Sequence, residues 1–489
     1  MAQILKDTTA IATRWSSATE VVAKVVMPVV NIILARLLTP EAFGVVATVT
    51  MIVSFAEIFA DAGFQKYIIQ HDFKNREELD QNTDVAFWTN LFISLLCWAL
   101  IFIWSDSLAT LVGNPGLGIV VWVAALSLPL LGLSSIQMAR FKRDFDFKSL
   151  FYVRLVSICT PLVVTVPIAY FTHSYWALII GTLSGNAVNA FVLTIKSKWR
   201  VSPHYSFRQL KEMFSYSWWI LMESISVWMT SYADTFIVSI FLSTYYVGIY
   251  KTSMVTVNQI TGLITAATSM PLFVALSRLK DNRNELVSTY NGYIQAIAIF
   301  VFPLSAGIWL YRDFVTSILL GGQWGEAVEF IGLWGLLSSI SLVLGTYANG
   351  LYNAVGKTFL SFSVATFNLI VMIGVLCITA PQGYETLYVS RSLLRLIFVI
   401  SQLFVMAVIL KYPVWSLIRK MVPPFICTIV MSVMSFMLRS VYDSILWTML
   451  TIIIAVVMYF AMGVFFFKNV FIDAFKTLGI PLPNKLLSK

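Results

Sequence analysis

Among the ionisable side chains inside the long apolar runs of this sequence, eleven are the candidates for any chemistry the chain performs. Six are basic (Arg14, Lys24, Arg154, Lys251, Arg391 and Arg395) and five are acidic (Glu20, Glu57, Asp61, Glu223 and Asp234). A charge at mid-bilayer costs about 2.5–3.5 kcal/mol on insertion scales, roughly 30 kcal/mol for the set, so most of these groups must face protein partners or water. Arg14 and Arg154 lie within about two turns of a span end and can snorkel to the interface. Glu20 and Lys24 stand i,i+4 with the acid first, an order that favours pairing on one helix face. That pair either neutralises itself for insertion or faces a polar vestibule. Glu57 and Asp61 repeat the spacing without a local base, while Glu223 and Asp234 are eleven residues apart, close to three helical turns. Intramembrane acids suit either a visiting proton or sodium ion or a neighbouring base, and both remain open for these four. Arg391 and Arg395 are like charges one turn apart, repulsive unless an anion or an acid sits between them. With Lys24 and Lys251 they make a candidate cationic cavity for an anionic guest. The alternative is that the arginines neutralise Glu223 or Asp234.

The elements that must carry these charges are membrane spans. The chain has 489 residues, 58% of them hydrophobic, with a mean hydropathy of +0.82, well above a soluble domain of about 45–50% apolar residues. Runs of about 20 apolar residues, each able to cross the hydrocarbon as a helix, recur along its whole length. Hydropathy places fourteen of them, near 9–38, 42–64, 84–105, 115–137, 150–171, 174–195, 213–241, 244–276, 286–310, 325–349, 358–379, 383–410, 421–438 and 445–467. The first run has no small-residue cleavage pattern after it and reads as a retained span, not a signal peptide. An even number of spans puts both termini on one side. Of the 33 Lys and Arg residues, 24 fall in the tails and loops of that side and three (Arg36, Arg312, Arg439) on the other. The positive-inside rule then makes both termini cytoplasmic, with Lys198 and Lys489 inside and Gly322 outside.

The basic loops "ARFKRDFDFK" (139–148), "KSKWRVSPHYSFRQLK" (196–211) and "RLKDNRNE" (278–285) account for most of the +9 net charge. They are short, separated and juxtamembrane, which suits topology and anionic lipid and not nucleic acid. The opposite face has only short loops apart from "YRDFVTSILLGGQW" (311–324), which leaves no room for an external catalytic domain. His71, His173 and His204 lie in separate loops, and Cys97, Cys159, Cys377 and Cys427 in separate apolar runs. Neither set has the spacing of a metal site, a disulfide framework or a histidine-based catalytic centre, so neither an enzyme nor a bound metal is expected.

The chain also repeats itself. "LLTPEAFGVV" (37–46) matches "FLSTYYVGIY" (241–250), aligning Gly44 with Gly248; "LVGNPG" (111–116) matches "LGGQWG" (320–325); and Lys148 in "FKSLF" matches Lys357 in "GKTFLSF". The common order and near-equal offsets imply two parallel repeats of six spans, related by an axis along the membrane normal. The expected organisation is an N-terminal lobe over 1–200 (spans 1–6), a C-terminal lobe over 201–420 (spans 7–12), and appended spans 13–14 with a cytoplasmic tail over 421–489. The fold class is an all-α polytopic membrane protein, two six-helix lobes plus two helices, whose intramembrane charges would line one aqueous cavity.

The stretch "ARLLTPEAFGVVATVTMIVSFAEIFADAGFQKYIIQ" (35–70), with "TDVAFWTNLF" (83–92) and "ARFKRDFDFKSL" (139–150), resembles the polysaccharide-exporter (Wzx-type) branch of the MOP flippase superfamily. The likeness is strongest to colanic-acid and teichuronic-acid exporters. It covers most of spans 1–6, with the L-x-P-x-x-F-G turn and the downstream D-x-G-F as its most specific parts. The second half matches through the turn at 242–248 and "LLGGQWGEAVEFIGLWGLL" (319–337). The resemblance implies a two-lobed flippase that carries an undecaprenyl-pyrophosphate-linked oligosaccharide across the bacterial inner membrane by alternating access, for polysaccharide export and alongside polysaccharide-assembly proteins. No cofactor is expected, and a proton or sodium ion taken up by the intramembrane acids is the candidate coupling ion. Lys24 falls near where lipid-linked sugar flippases carry a cationic cavity residue. The two extra spans are similar to those of lipid II flippases, where such helices border a groove for the lipid tail. The competing expectation is a MATE-like cation-coupled multidrug antiporter, whose organic cations would favour an acid-dominated pocket without Arg391 and Arg395. A membrane enzyme of glycan assembly comes third.

Overall fold

The computed structural model describes residues 2–61 and 63–477, apart from the side chains of residues 2–10, Thr13 and Tyr216. Lys489 and the tail beyond 477 lie outside the described residues. Every regular element described is helical. The chain divides into two compact units, Met1–Lys251 and Thr252–Lys489.

The first unit contains α1 (Ala2–Leu37), α2 (Pro40–Asp61), α3 (Phe64–Gln70), α4 (Arg76–Ile103), α5 (Ser105–Leu111), α6 (Gly118–Ala124), α7 (Ser127–Arg143), α8 (Phe147–Thr172), α9 (Trp176–Lys196), α10 (Phe207–Phe241) and the start of α11 (Thr244–Arg278). The second holds the rest of α11, then α12 (Arg283–Leu310), α13 (Arg312–Leu319), α14 (Val328–Ser341), α15 (Tyr347–Ala354), α16 (Thr358–Thr379), α17 (Tyr384–Val408), α18 (Val414–Arg439), α19 (Ile445–Phe466) and α20 (Lys468–Thr477). Thirteen helical stretches are long and apolar enough to cross a membrane, with α6–α7 and α14–α15 each counting as one. The remaining expected span, α10, is a continuous helix of 35 residues. Its hydropathy is diluted by Glu223, Asp234 and a run of Ser, Thr, Tyr and Trp, so it does not meet the same apolar standard.

Helix starts follow the local chemistry. Asn75 accepts from the Glu78 amide at 2.8 Å while Glu78 accepts from the Lys74 amide at 2.6 Å, a reciprocal cap that begins α4. Asp146 caps α8 through the Ser149 amide, and Ser444 caps α19 through the Trp447 amide. Within the second unit, α12 and α14–α15 form the interior: 67% of the residues in the most apolar stretch of each are buried, against 17% for α16, which leaves most of its surface uncovered. α18 and α19 pack beside α12, and α20 packs against α12 and against α19, where buried Phe471 meets Tyr459 and Phe460.

The repeat is visible in the order of elements. A short helix follows the third span of each half (α5, α13), a broken span comes next (α6–α7, α14–α15), and the matched lysines Lys148 and Lys357 stand at the starts of α8 and α16. α3 has no counterpart, because α11 runs on unbroken to Arg278. The matched turns also touch, inside the first unit. A Cβ placed on Gly44 would lie 1.9 Å from the Thr244 carbonyl oxygen, and one on Gly248 would lie 1.8 Å from the Pro40 carbonyl oxygen. Gly44 matches Gly248, and Pro40 matches Thr244 at the same spacing, so the contact is reciprocal. Asn114 of the "LVGNPG" turn closes the junction. Its Nδ2 donates to Thr48 Oγ1 and its Oδ1 accepts from Thr244 Oγ1, both at 2.6 Å.

Candidate functional site

The charged positions of the first unit are distributed over α1, α2, α10 and α11. On α1, Glu20 is exposed and Lys24 half-buried, followed one turn later by Pro28. Arg14 and Arg154 are exposed. Glu57 and Asp61 are half-buried at the end of α2, and Asp61 has Gln65, Lys66 and Lys142 as polar neighbours. Lys66 also holds Glu223 of α10 in an ion pair at 3.0 Å. Both side chains of that pair are more than half or about half exposed, so it contributes only about 0–1 kcal/mol and links α3 to α10 loosely.

Eleven residues along α10, Asp234 is 2% exposed and densely bonded. Tyr250 Oη donates to its Oδ2 at 3.0 Å, and the Thr235 amide and hydroxyl donate to its Oδ1 at 2.7 and 3.2 Å. Thr235 Oγ1 also accepts from Lys251 Nζ at 3.0 Å, and Lys251 lies over the Tyr232 ring at 5.0 Å and donates to the Ser231 carbonyl. Asp234 and Lys251 therefore belong to one network through Thr235. Along the same side of α10, Trp228 stacks near Tyr232 and Phe55 and donates from Nε1 to Ser54 at 3.0 Å. The result is a lysine set at the end of an aromatic row formed by α2 and α10.

In the second unit, Arg391 and Arg395 on α17 lie over one ring, that of Trp334 on α14, at 5.0 and 4.3 Å. Trp334 is fully buried and both arginines are half-buried. A cation held over an indole gains about 0.5–1 kcal/mol when exposed and about 2 kcal/mol when desolvated, which offsets the i,i+4 repulsion between the two guanidinium groups. In the same unit α12, α13, α18 and α19 border an open apolar cleft of about 420 Å³ lined by residues including Leu304, Phe314, Ile452 and Tyr459.

Two basic positions that the sequence places in the 139–148 loop stand in the last turn of α7 and do structural work. Arg140, 6% exposed, pairs with Asp80 at 2.6 Å and donates to Thr83. Arg143 donates to the carbonyls of Ile68, Ile69 and His71, stacks on Phe73 at 4.8 Å, and so closes the end of α3. His71 stacks on Tyr67, and His173 bonds the Leu37 carbonyl. Among the described residues no three of His, Cys, Asp and Glu gather closely enough to hold a metal ion. Tyr232, Trp228 and Trp334 are the groups that sequence inspection misses. Their only advance signal is spacing: Trp228 and Tyr232 stand one turn apart on the face of α10 that carries Thr235, and Phe330 and Trp334 one turn apart on α14.

The fold and these intramembrane groups define a multi-pass, all-α membrane transporter. The chain belongs to the polysaccharide biosynthesis protein family, whose model matches residues 33–329. It is 25% identical over 380 residues to an uncharacterised membrane protein of the cps region in Klebsiella pneumoniae, covering 76% of each chain. It is 21% identical over 355 residues to the lipopolysaccharide biosynthesis protein WzxC of Escherichia coli, covering 70% of each. Among solved structures, the lipid II flippase MurJ in an inward closed conformation superposes with a TM-score of 0.75 over 93% of this chain and 99% of that one, at 14% identity, which is a likeness of fold.

Proposed function

We propose that the protein is a flippase that moves a lipid-linked oligosaccharide from the cytoplasmic to the outer leaflet of a bacterial inner membrane by alternating access. The observation that carries this reading is the Arg391–Arg395 pair held over Trp334 within a membrane span, an arrangement that keeps two positive charges in place where hydrocarbon disfavours them. An oligosaccharide joined to a prenyl chain through pyrophosphate cannot leave water without replacement contacts, and loses several kcal/mol if its charges are stripped bare. Arginine meets phosphate oxygens in pairs, and lysine supplies a mobile point charge. In this account Arg391 and Arg395 contact the pyrophosphate, and Lys24 and Lys251 are the cations that the first unit offers to an anion. The aromatic row of Phe55, Trp228 and Tyr232 packs against sugars, and the apolar cleft beside α18 and α19 accommodates hydrocarbon.

The carrier is undecaprenyl pyrophosphate, both termini are cytoplasmic, and the protein performs no covalent step of its own. The names of the family and of the relatives in polysaccharide and lipopolysaccharide biosynthesis support a cargo of that class and a place beside glycan-assembly proteins. Glu57 and Asp61 are the acids best placed to take a coupling proton or sodium ion, because Glu223 is engaged by Lys66 and Asp234 by Tyr250 and Thr235. That same engagement weighs against an antiporter of organic cations, which would need acids turned toward the guest. Deleting the gene tests the proposal. Lipid-linked oligosaccharide accumulating in the inner leaflet supports it, and unchanged export with no accumulation rejects it.

A further inference from the structure

We infer that Trp334 is a positioning residue that sets Arg391 and Arg395 as a single anion-binding unit, an inference that rests on those two arginines contacting the cargo's pyrophosphate. Two facing helix stripes carry the argument. On α17, Tyr384, Tyr388, Arg391 and Arg395 recur at spacings of four, three and four residues, and therefore line one side of the helix. On α14, Phe330 and Trp334 are one turn apart. Phe330 packs against Tyr384 and Tyr388 at 6.4 and 5.7 Å, and Trp334, which packs on Phe330 at 5.7 Å, receives both arginines. The aromatic end of the stripe anchors the helices, and the charged end is presented by the same register.

An indole face is well suited to this role. It attracts a guanidinium through its π electrons and consumes none of the five N–H donors that phosphate oxygens would use. A carboxylate in the same place would neutralise the arginines and compete with the anion. Hydrogen bonding does not explain the choice of tryptophan, because the buried Trp334 Nε1 finds no acceptor among the described residues. Its ring face is the group in use, so phenylalanine should preserve most of the effect and an aliphatic side chain should not.

Binding of inorganic pyrophosphate to the purified full-length protein, measured by titration calorimetry with melting temperatures in parallel, tests this. Trp334→Leu should weaken binding about tenfold and Trp334→Phe no more than about threefold, the loss expected when two cation–π contacts are removed or merely weakened. In the Arg391→Ala/Arg395→Ala background, adding Trp334→Leu should change nothing further, since nothing is left to position. If Trp334→Leu does not fold, Trp334→Met offers a longer, more adaptable side chain without a π face and carries the same expectation. Unchanged affinity in Trp334→Leu, with affinity lost in the double arginine variant, overturns the positioning role and leaves the arginine site standing. An equal loss from Trp334→Leu with and without the arginines makes Trp334 merely structural and also overturns it. Full affinity in the double arginine variant rejects the anion site itself.

Discussion

Replacing Asn114 with alanine removes both arms of the bridge that ties the two repeated turns together. Asn114 is 4% exposed, and its bonds to Thr48 and Thr244 are each 2.6 Å. The Thr48 hydroxyl already donates to the Val45 carbonyl at 2.9 Å, so its lone pair facing Asn114 is left dry, whereas Thr244 can turn toward the Gly113 carbonyl at 3.4 Å. Two buried hydrogen bonds at about 1–1.5 kcal/mol each make the junction weaker by about 2–3 kcal/mol. Under the proposed alternating-access cycle, the expectation is that these two turns part and rejoin. At about 1.4 kcal/mol per factor of ten, the population with the turns parted should rise roughly 30- to 150-fold. Spin labels on Glu41 and Ser243, both exposed beside the junction, report the separation by pulsed electron resonance in a background lacking the four cysteines. The native protein should give a short, narrow distribution and Asn114→Ala a second, longer one. A single unchanged distance in a well-folded variant would refute the idea that this bridge holds the two turns together.

The glycines at the same junction give an independent check. Gly248→Ala places a Cβ against the Pro40 backbone carbonyl, which cannot swing aside as a side chain would, and should open the same labelled distance while costing about 1–3 kcal/mol of stability. Charge reversal at Lys66 should impair transport far more than it lowers the melting temperature, because the pair with Glu223 is exposed, and the swap Lys66→Glu/Glu223→Lys should restore it. No recovery in the swapped variant would show that Glu223 acts through something other than that pair. Asp61→Asn should abolish the response of transport to an imposed proton or sodium gradient, and transport indifferent to both gradients in the native protein would remove the coupling role from Glu57 and Asp61 together.

The spans were legible because apolar length is a local property: each run of about 20 residues declares itself without reference to any other. α10 is the instructive exception. Its polar residues lower its hydropathy, and they are there because Glu223, Thr235 and Asp234 have partners on α3 and α11. The turn motifs that suggested duplication are also local, yet only the fold brings Pro40, Gly44, Asn114, Thr244 and Gly248 to one point. Partners were the illegible part. Lys66 is 157 residues from Glu223 in the chain, and Trp334 is separated from Arg391 and Arg395 by the whole of α15 and α16. A like-charged i,i+4 pair announces that it needs company, but its sequence cannot say whether that company is an acid, an anion or a buried indole.

Purified protein reconstituted in vesicles, with an undecaprenyl-pyrophosphate-linked oligosaccharide distributed over both leaflets, tests the central claim most directly. Periodate that cannot enter the vesicle oxidises only the sugars exposed outside, so movement between leaflets is read as loss of the protected fraction. The account predicts that vesicles holding the native protein lose that protection and that vesicles holding the Arg391→Ala/Arg395→Ala variant keep it. A protected fraction that persists with folded native protein, under an imposed proton or sodium gradient as well as without one, would contradict the claim that this chain flips lipid-linked oligosaccharide.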